Sequence, residues 1–304
     1  MENTNSGSRR RFIQSAAGFA ALAGQATAQS APALPTVKLG KFEISRLIIG
    51  ANPLYGYSHC SRLLDAHLRE YCTQDRVCEI LRSAEQNGIN TWQLHYGKRE
   101  ISDLKRHKAE GGKLQWVLLG MGDVMKDFTL LKEVANTGPI GIVHHGNMTD
   151  DRFRAGETDK IKDFLKAVRD SGAMVGLSTH NPAVVDTAES QGWDLDFYMT
   201  CLYQQSRTRE DLAKMLGEMP VGETYLEKDP ERMFRMIRQT RKTCLAFKLL
   251  AAGRLINSPD QVAGAIRRAL ENIKPQDAII MGMYPRYRDE VRENAESVRR
   301  ILGA

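Results

Sequence analysis

Gly88-Ile89-Asn90-Thr91-Trp92-Gln93-Leu94-His95-Tyr96-Gly97-Lys98-Arg99-Glu100 is the stretch on which the fold is decided. Val77, Ile80, Leu81 and Ala84 form an apolar stripe at helical spacing that runs into it, and Thr73 or Asp75 can cap that helix. Gly88 ends the helix, a short apolar strand follows, and a charged helix is expected over 98–110. Gln93, His95 and Tyr96 stand at the far end of the strand. Such an αβ unit, with polar groups where the strand ends, is how a barrel or doubly wound sheet presents chemistry.

The rest of the chain repeats this grammar. Upstream, 37–44 alternates weakly and reads as a small hairpin arm, and 45–52 reads as a buried strand ending in Gly50 and Asn52-Pro53. Residues 53–73, with His59 and His67, read as a long loop over the mouth. Downstream, strands are expected at 115–120, 140–145, 174–180, 196–203, 243–248 and 278–282. Helices are expected at 127–136, 158–171, from Pro182, from Pro230, at 259–272 and at 287–302, with a long insertion at 204–228. The strand runs are continuously apolar, as parallel strands covered on both faces should be. Eight strands alternating with helices predict one (β/α)8 TIM barrel over residues 37–304, a common size for that fold.

Residues 1–28 read as an address. Ser8-Arg9-Arg10-Arg11-Phe12-Ile13 precedes a mild apolar run, and Ala26-Thr27-Ala28 fits a cleavage site, so the segment resembles a twin-arginine signal peptide. Residues 29–36, rich in Ala, Pro and Ser, then form a tether. The expectation is an exported, periplasmic protein that meets the twin-arginine export machinery and has no stable membrane span. The formal charge of +6 falls to about +4 without the leader, and its positive charges are scattered among acids. That pattern serves solubility rather than nucleic-acid binding. Five cysteines lack C-x-x-C spacing and read as small buried residues, with one disulfide among Cys60, Cys72 and Cys78 left open.

Laid out in this order, the chain resembles the aldo-keto reductase family over nearly all of 37–304. The carriers are Leu39-Gly40 with Ile44 to Gly50, Gly88-Ile89-Asn90 with Tyr96-Gly97, Ile142 to His145, Val175 to Ser178, Leu249 to Leu255, and Met281 to Met283 with Glu290 to Asn294. The resemblance implies an NADP(H)-dependent oxidoreductase acting on a small carbonyl or sugar-like substrate. It assigns Tyr96 as proton donor and His144 or His145 as the group that orients the carbonyl. On the cofactor side it points to Ser178, Thr179, Tyr203, Leu250, Gly253, Arg254, Arg286, Arg292 and Asn294. Gln93 stands where the family has an Asp, and 116–121 offers no Lys. Without that cation Tyr96 stays near the ordinary tyrosine pKa of about 10, so carbonyl reduction at full strength is not expected.

The residues also support other chemistry. His95, His145 and His180 end three strands, where three imidazoles can do acid/base work or hold a divalent metal with Glu227 or Asp123. Strand alternation sends one of His144 and His145 inward and the other outward. Lys248 closes an apolar strand and can replace the missing cation or act as a base. A cofactor-independent or metal-assisted lyase, isomerase or hydrolase on a carbohydrate is therefore the alternative, and a non-catalytic ligand-binding barrel the third reading.

Overall fold

The computed structural model describes residues 33–304; the leader at 1–28 and the first half of the tether lie outside the described residues. A hairpin comes first, β1 (Thr36–Leu39) antiparallel to β2 (Phe42–Ser45), with Gly40 at φ +59° in its turn. Eight further strands then pair in parallel: β3 (Leu47–Gly50), β4 (Thr91–His95), β5 (Gln115–Leu119), β6 (Gly141–His144), β7 (Met174–Thr179), β8 (Phe197–Cys201), β9 (Thr243–Phe247) and β10 (Ala278–Gly282). They neighbour one another in sequence order, and β10 pairs with β3, so the sheet closes into a barrel. The (β/α)8 expectation is met.

Helices fill the crossovers. They are α1 (Arg62–Tyr71), α2 (Gln74–Gln86), α3 (Lys98–Ala109), α4 (Leu130–Asn136), α5 (Gly146–Arg154), α6 (Thr158–Asp170), α7 (Pro182–Ser190), α8 (Arg209–Leu216), α9 (Asp229–Gln239), α10 (Pro259–Asn272) and α11 (Glu290–Leu302). Three of them correct the sequence reading. The stretch taken as one long loop at 53–73 contains α1, capped by the Ser61 side chain on the Leu64 amide. The insertion at 204–228 contains α8, similarly capped by Thr208. A helix also follows β6 directly, where none was expected; that short polar segment shows no apolar stripe to announce it.

Strand alternation sorts the side chains into two layers. Ile48, Val117, Leu119, Val143, Phe197, Met199, Leu245 and Ile280 fill the barrel interior, and Leu39 and Ile44 of the hairpin join them from below. Trp92, Leu94, Ile142, Leu177 and Tyr198 point the other way, into the layer shared with the helices. The Phe197 ring fits inside because Gly141 and Gly176 face it: a Cβ on either would lie 2.6–2.7 Å from its ring carbons. Burial of each such large apolar side chain contributes about 1.5–3 kcal/mol. Asp277, fully buried, accepts from the Cys244 and Lys274 amides and from Lys274 Nζ, at 2.8–2.9 Å, and so ties β9 to β10. All five cysteines are free; Cys60 is exposed and the other four are buried. Among the described residues no helix is long and apolar enough to cross a membrane.

Candidate active site at the barrel mouth

Because the strands are parallel, all eight C-terminal ends gather at one rim. The inward parity that puts Val143 inside also sends His145 inward, and the same rule selects Gln93 and His95 on β4, Ser178 on β7 and His180 just after it. Together with Asn52 and Lys248 they line a cavity of about 290 Å³. Its apolar part is made by Leu119, Met121, Met199 and Phe247, and Tyr57 and His59 reach over from the segment after β3.

The firmest element is a carboxylate–imidazole pair. Asp150 lies on the buried face of α5, one turn beyond Gly146, and its Oδ2 accepts from His180 Nδ1 at 2.8 Å and from the His180 amide at 3.0 Å. The Thr179 hydroxyl donates to the other carboxylate oxygen. His180 therefore carries a proton on Nδ1; among the described residues none is bonded to its Nε2, and the ring lines the cavity. Gly146 permits this approach: a Cβ there would meet His180 Cε1 and Ser178 Oγ at 2.9 Å.

The other two imidazoles are neutral. Burial lowers His95 to about 4, with His145 and His59 adding in the same sense. His145 falls to about 4 through burial and the neighbouring His180, against a smaller opposing pull from Asp150. His95 packs edge-on against Tyr57, ring centroids 5.3 Å apart, and its Nε2 lies 3.0 Å from Asn52 Oδ1. Nδ1 of both rings is buried with no partner. Lys248 holds a left-handed backbone at φ +63°, unusual for a non-glycine residue and of a kind that collects at functional sites. Its Nζ stands 3.5 Å from the Tyr225 hydroxyl.

Several expected residues lie elsewhere. His144 faces away from the cavity, fully buried: Arg152 donates to its Nε2 at 3.0 Å, its Nδ1 donates to Thr149 Oγ1 at 2.6 Å, and its ring packs on Phe164. Both nitrogens are thus committed to structure. Tyr96 sits one residue past His95, so parity turns it outward into the helix-facing layer, where burial raises its pKa. It does not line the cavity. Metal ligation finds no set either: among the described residues no three of His, Cys, Asp and Glu are grouped to hold an ion. Asp123 is instead 3.8 Å from Lys126.

On the cofactor side the residues scatter. Ser178 is on the cavity wall, but Thr179 turns outward to Asp150. Tyr203 is buried against Tyr225 beside a separate apolar crevice. Arg254 lies 4.1 Å above the Tyr225 ring, and the amides of Gly253, Arg254 and Leu255 all close onto the Leu250 carbonyl, leaving none of these three for a pyrophosphate. Arg286 rests over Tyr71 and Tyr287, Arg292 is bound by Asp289 and Glu296, and Asn294 is buried on α11. Of these residues, the structure brings Ser178 alone to the wall of the mouth cavity.

Sequence reasoning missed Asp150, Asn147, Tyr57, Met121, Phe247, Glu223 and Tyr225. An acid four residues after Gly146 was the one signal available for Asp150, and it needed a helix to give it meaning.

No protein-family model and no curated protein matches the sequence. Among solved structures the chain is similar to Gox0644 in its apo form, with 10% identity, 89% of this chain and 94% of that one covered, and a TM-score of 0.55. It is also similar to an aldo/keto reductase from Brucella melitensis (13% identity, 88% and 99% covered, TM-score 0.47). A truncated 3-deoxy-D-arabino-heptulosonate 7-phosphate synthase from Thermotoga maritima follows at 14% identity, 90% and 92% covered, TM-score 0.49. Identities this low speak for the barrel fold alone.

Proposed function

We propose that the protein is an enzyme that moves protons on a small hydroxylated carbonyl or sugar-like compound, the chemistry of an isomerase or lyase. The observation that carries this reading is the Asp150–His180 pair, bonded through Nδ1 on a ring that lines the cavity. Held by the carboxylate, His180 has the correct tautomer to accept a proton at Nε2, and Asp150 stabilises the imidazolium that forms. Among the described residues Lys248 is the one Lys or Arg on the cavity wall, and it would oppose negative charge developing on a carbonyl oxygen. Ser178, Asn147, Gln93 and Asn52 offer hydroxyl and amide partners of the kind a polyol needs. Such positioned acid/base groups supply about 10²–10⁴ in rate.

The test is proton exchange. Hydroxylated aldehydes and ketones are incubated with the protein in deuterium oxide, and incorporation at the carbon beside the carbonyl is followed by NMR. Wild type is expected to exchange at least one of them, and Asp150→Asn to lose about 10²-fold or more of that rate. Equal rates in both proteins refute the role of the pair. Fluorescence titration with NADPH supplies the second arm: binding, with turnover only in its presence, returns the function to carbonyl reduction, which Ser178 on the cavity wall supports.

A further inference from the structure

Four side chains from three separate stretches of the mouth are joined end to end. His95 Nε2 lies 3.0 Å from Asn52 Oδ1, Asn52 Nδ2 lies 3.2 Å from His59 Nε2, and His59 Nδ1 lies 2.7 Å from Glu223 Oε1. The second oxygen of Glu223 accepts from the Tyr225 hydroxyl at 2.7 Å. A carboxamide has one donating and one accepting end, so Asn52 imposes a direction on the whole series. Its nitrogen can only donate, so His59 Nε2 must accept and the His59 proton must sit on Nδ1, facing a carboxylate that can only accept. Its oxygen can only accept, so His95 must carry its proton on Nε2.

We propose that Glu223, His59 and Asn52 form a relay that fixes His95 as the Nε2–H tautomer, so that Nδ1 of this cavity-wall ring accepts a hydrogen bond from a substrate hydroxyl. The relay stands on these contacts alone, whereas the hydroxyl partner rests on the acid–base reading of the cavity. His95 Nδ1 is the ring's remaining atom, buried and without a partner in the protein. A lone pair in that position is complemented by an O–H group, while His180 Nε2 offers a second acceptor and Lys248 a donor. The cavity then matches a compound carrying two hydroxyls and a carbonyl.

The relay also spans loops that meet only at the mouth. His59 belongs to the segment between β3 and α1, and Glu223 to the one between α8 and α9. Arg254, from the segment after β9, donates to the His59 carbonyl at 3.4 Å and covers the Tyr225 ring. His59, Asn52 and Glu223 are positioning residues: they act on the substrate through His95.

Histidine-selective ¹⁵N labelling of the full chain reads this directly, because the two ring nitrogens of a neutral imidazole give separate signals for their protonated and bare forms. The seven histidines are assigned by single substitutions. Wild-type His95 is expected to show a protonated Nε2 and a bare Nδ1, and Asn52→Ala to convert it to a mixture of tautomers. Glu223→Gln, which still offers an accepting oxygen, should preserve the wild-type signature, and Glu223→Leu should lose it. The His144 signals, held by Arg152 and Thr149, report that each variant is folded. Xylitol, a neutral polyol, should shift His95 Nδ1 in wild type and not in Asn52→Ala. A protonated Nδ1 in wild-type His95, or a signature indifferent to Asn52→Ala, overturns the relay. An intact relay with no response to xylitol overturns the hydroxyl acceptor. A relay seen in a protein without proton-exchange activity leaves the relay standing and removes the acid–base function instead.

Discussion

Acidification tests the burial of His144 in quantitative terms. Burial, and then the Arg152 guanidinium at its Nε2, lowers this imidazole from 6.5 to about 3 in the fold. The folded pKa is depressed, so between pH 6.5 and 3 the unfolded chain binds a proton that the native one refuses, and stability falls as pH falls. At pH 5 the gap already amounts to about 1.5 pH units, or about 2 kcal/mol at 1.36 kcal/mol per unit. His95 and His145, each near 4, act in the same direction over 6.5 to 4, while the buried acids Glu100 and Asp277 and the half-buried Glu290, whose pKa values are raised, oppose them. The comparison that isolates His144 is urea unfolding of wild type and His144→Gln at pH 7, 6 and 5. The variant loses buried contacts with Phe164, so it starts less stable at pH 7. Its slope of unfolding free energy against pH should nevertheless be smaller by about one proton. Parallel slopes would show that His144 is protonated in the fold or titrates normally, and the reasoning fails.

Three further outcomes follow from the geometry. Gly146→Ala pushes a methyl to within 2.9 Å of His180 and Ser178, so kcat/KM should fall by about 10²-fold with little change in Tm, as misplacement near 1 Å does. Gly176→Ala intrudes on Phe197 and on Val143 at 2.6–2.7 Å inside the barrel and should cost about 1–3 kcal/mol of stability by chemical denaturation. Tyr96→Phe should leave kcat/KM unchanged because its ring lies outside the cavity; loss of activity would reinstate it as proton donor.

The barrel was legible because each parallel strand is a short continuous apolar run bounded by Gly, Asn or Pro, and that signal survives without an alignment. The rim histidines at 95, 145 and 180 were legible too, since a polar residue ending such a run must face the mouth or the helices. The choice between 144 and 145 was not, because a one-residue change in parity exchanges the two faces. Tyr96 was placed by likeness to a family motif, whereas the strand ends at His95 and the next side chain turns outward. Asp150 and Glu223 depend on tertiary approach: Glu223 meets His59 across 164 residues, and no local pattern records that meeting.

Leu39 and Ile44 of the hairpin pack against the barrel interior, at the end away from the rim histidines. A product of the proposed chemistry would occupy the same rim cavity as the next substrate, beside His59 and the Glu223 bonded to it. Product and substrate then exclude each other at the threshold, so inhibition by product should be competitive.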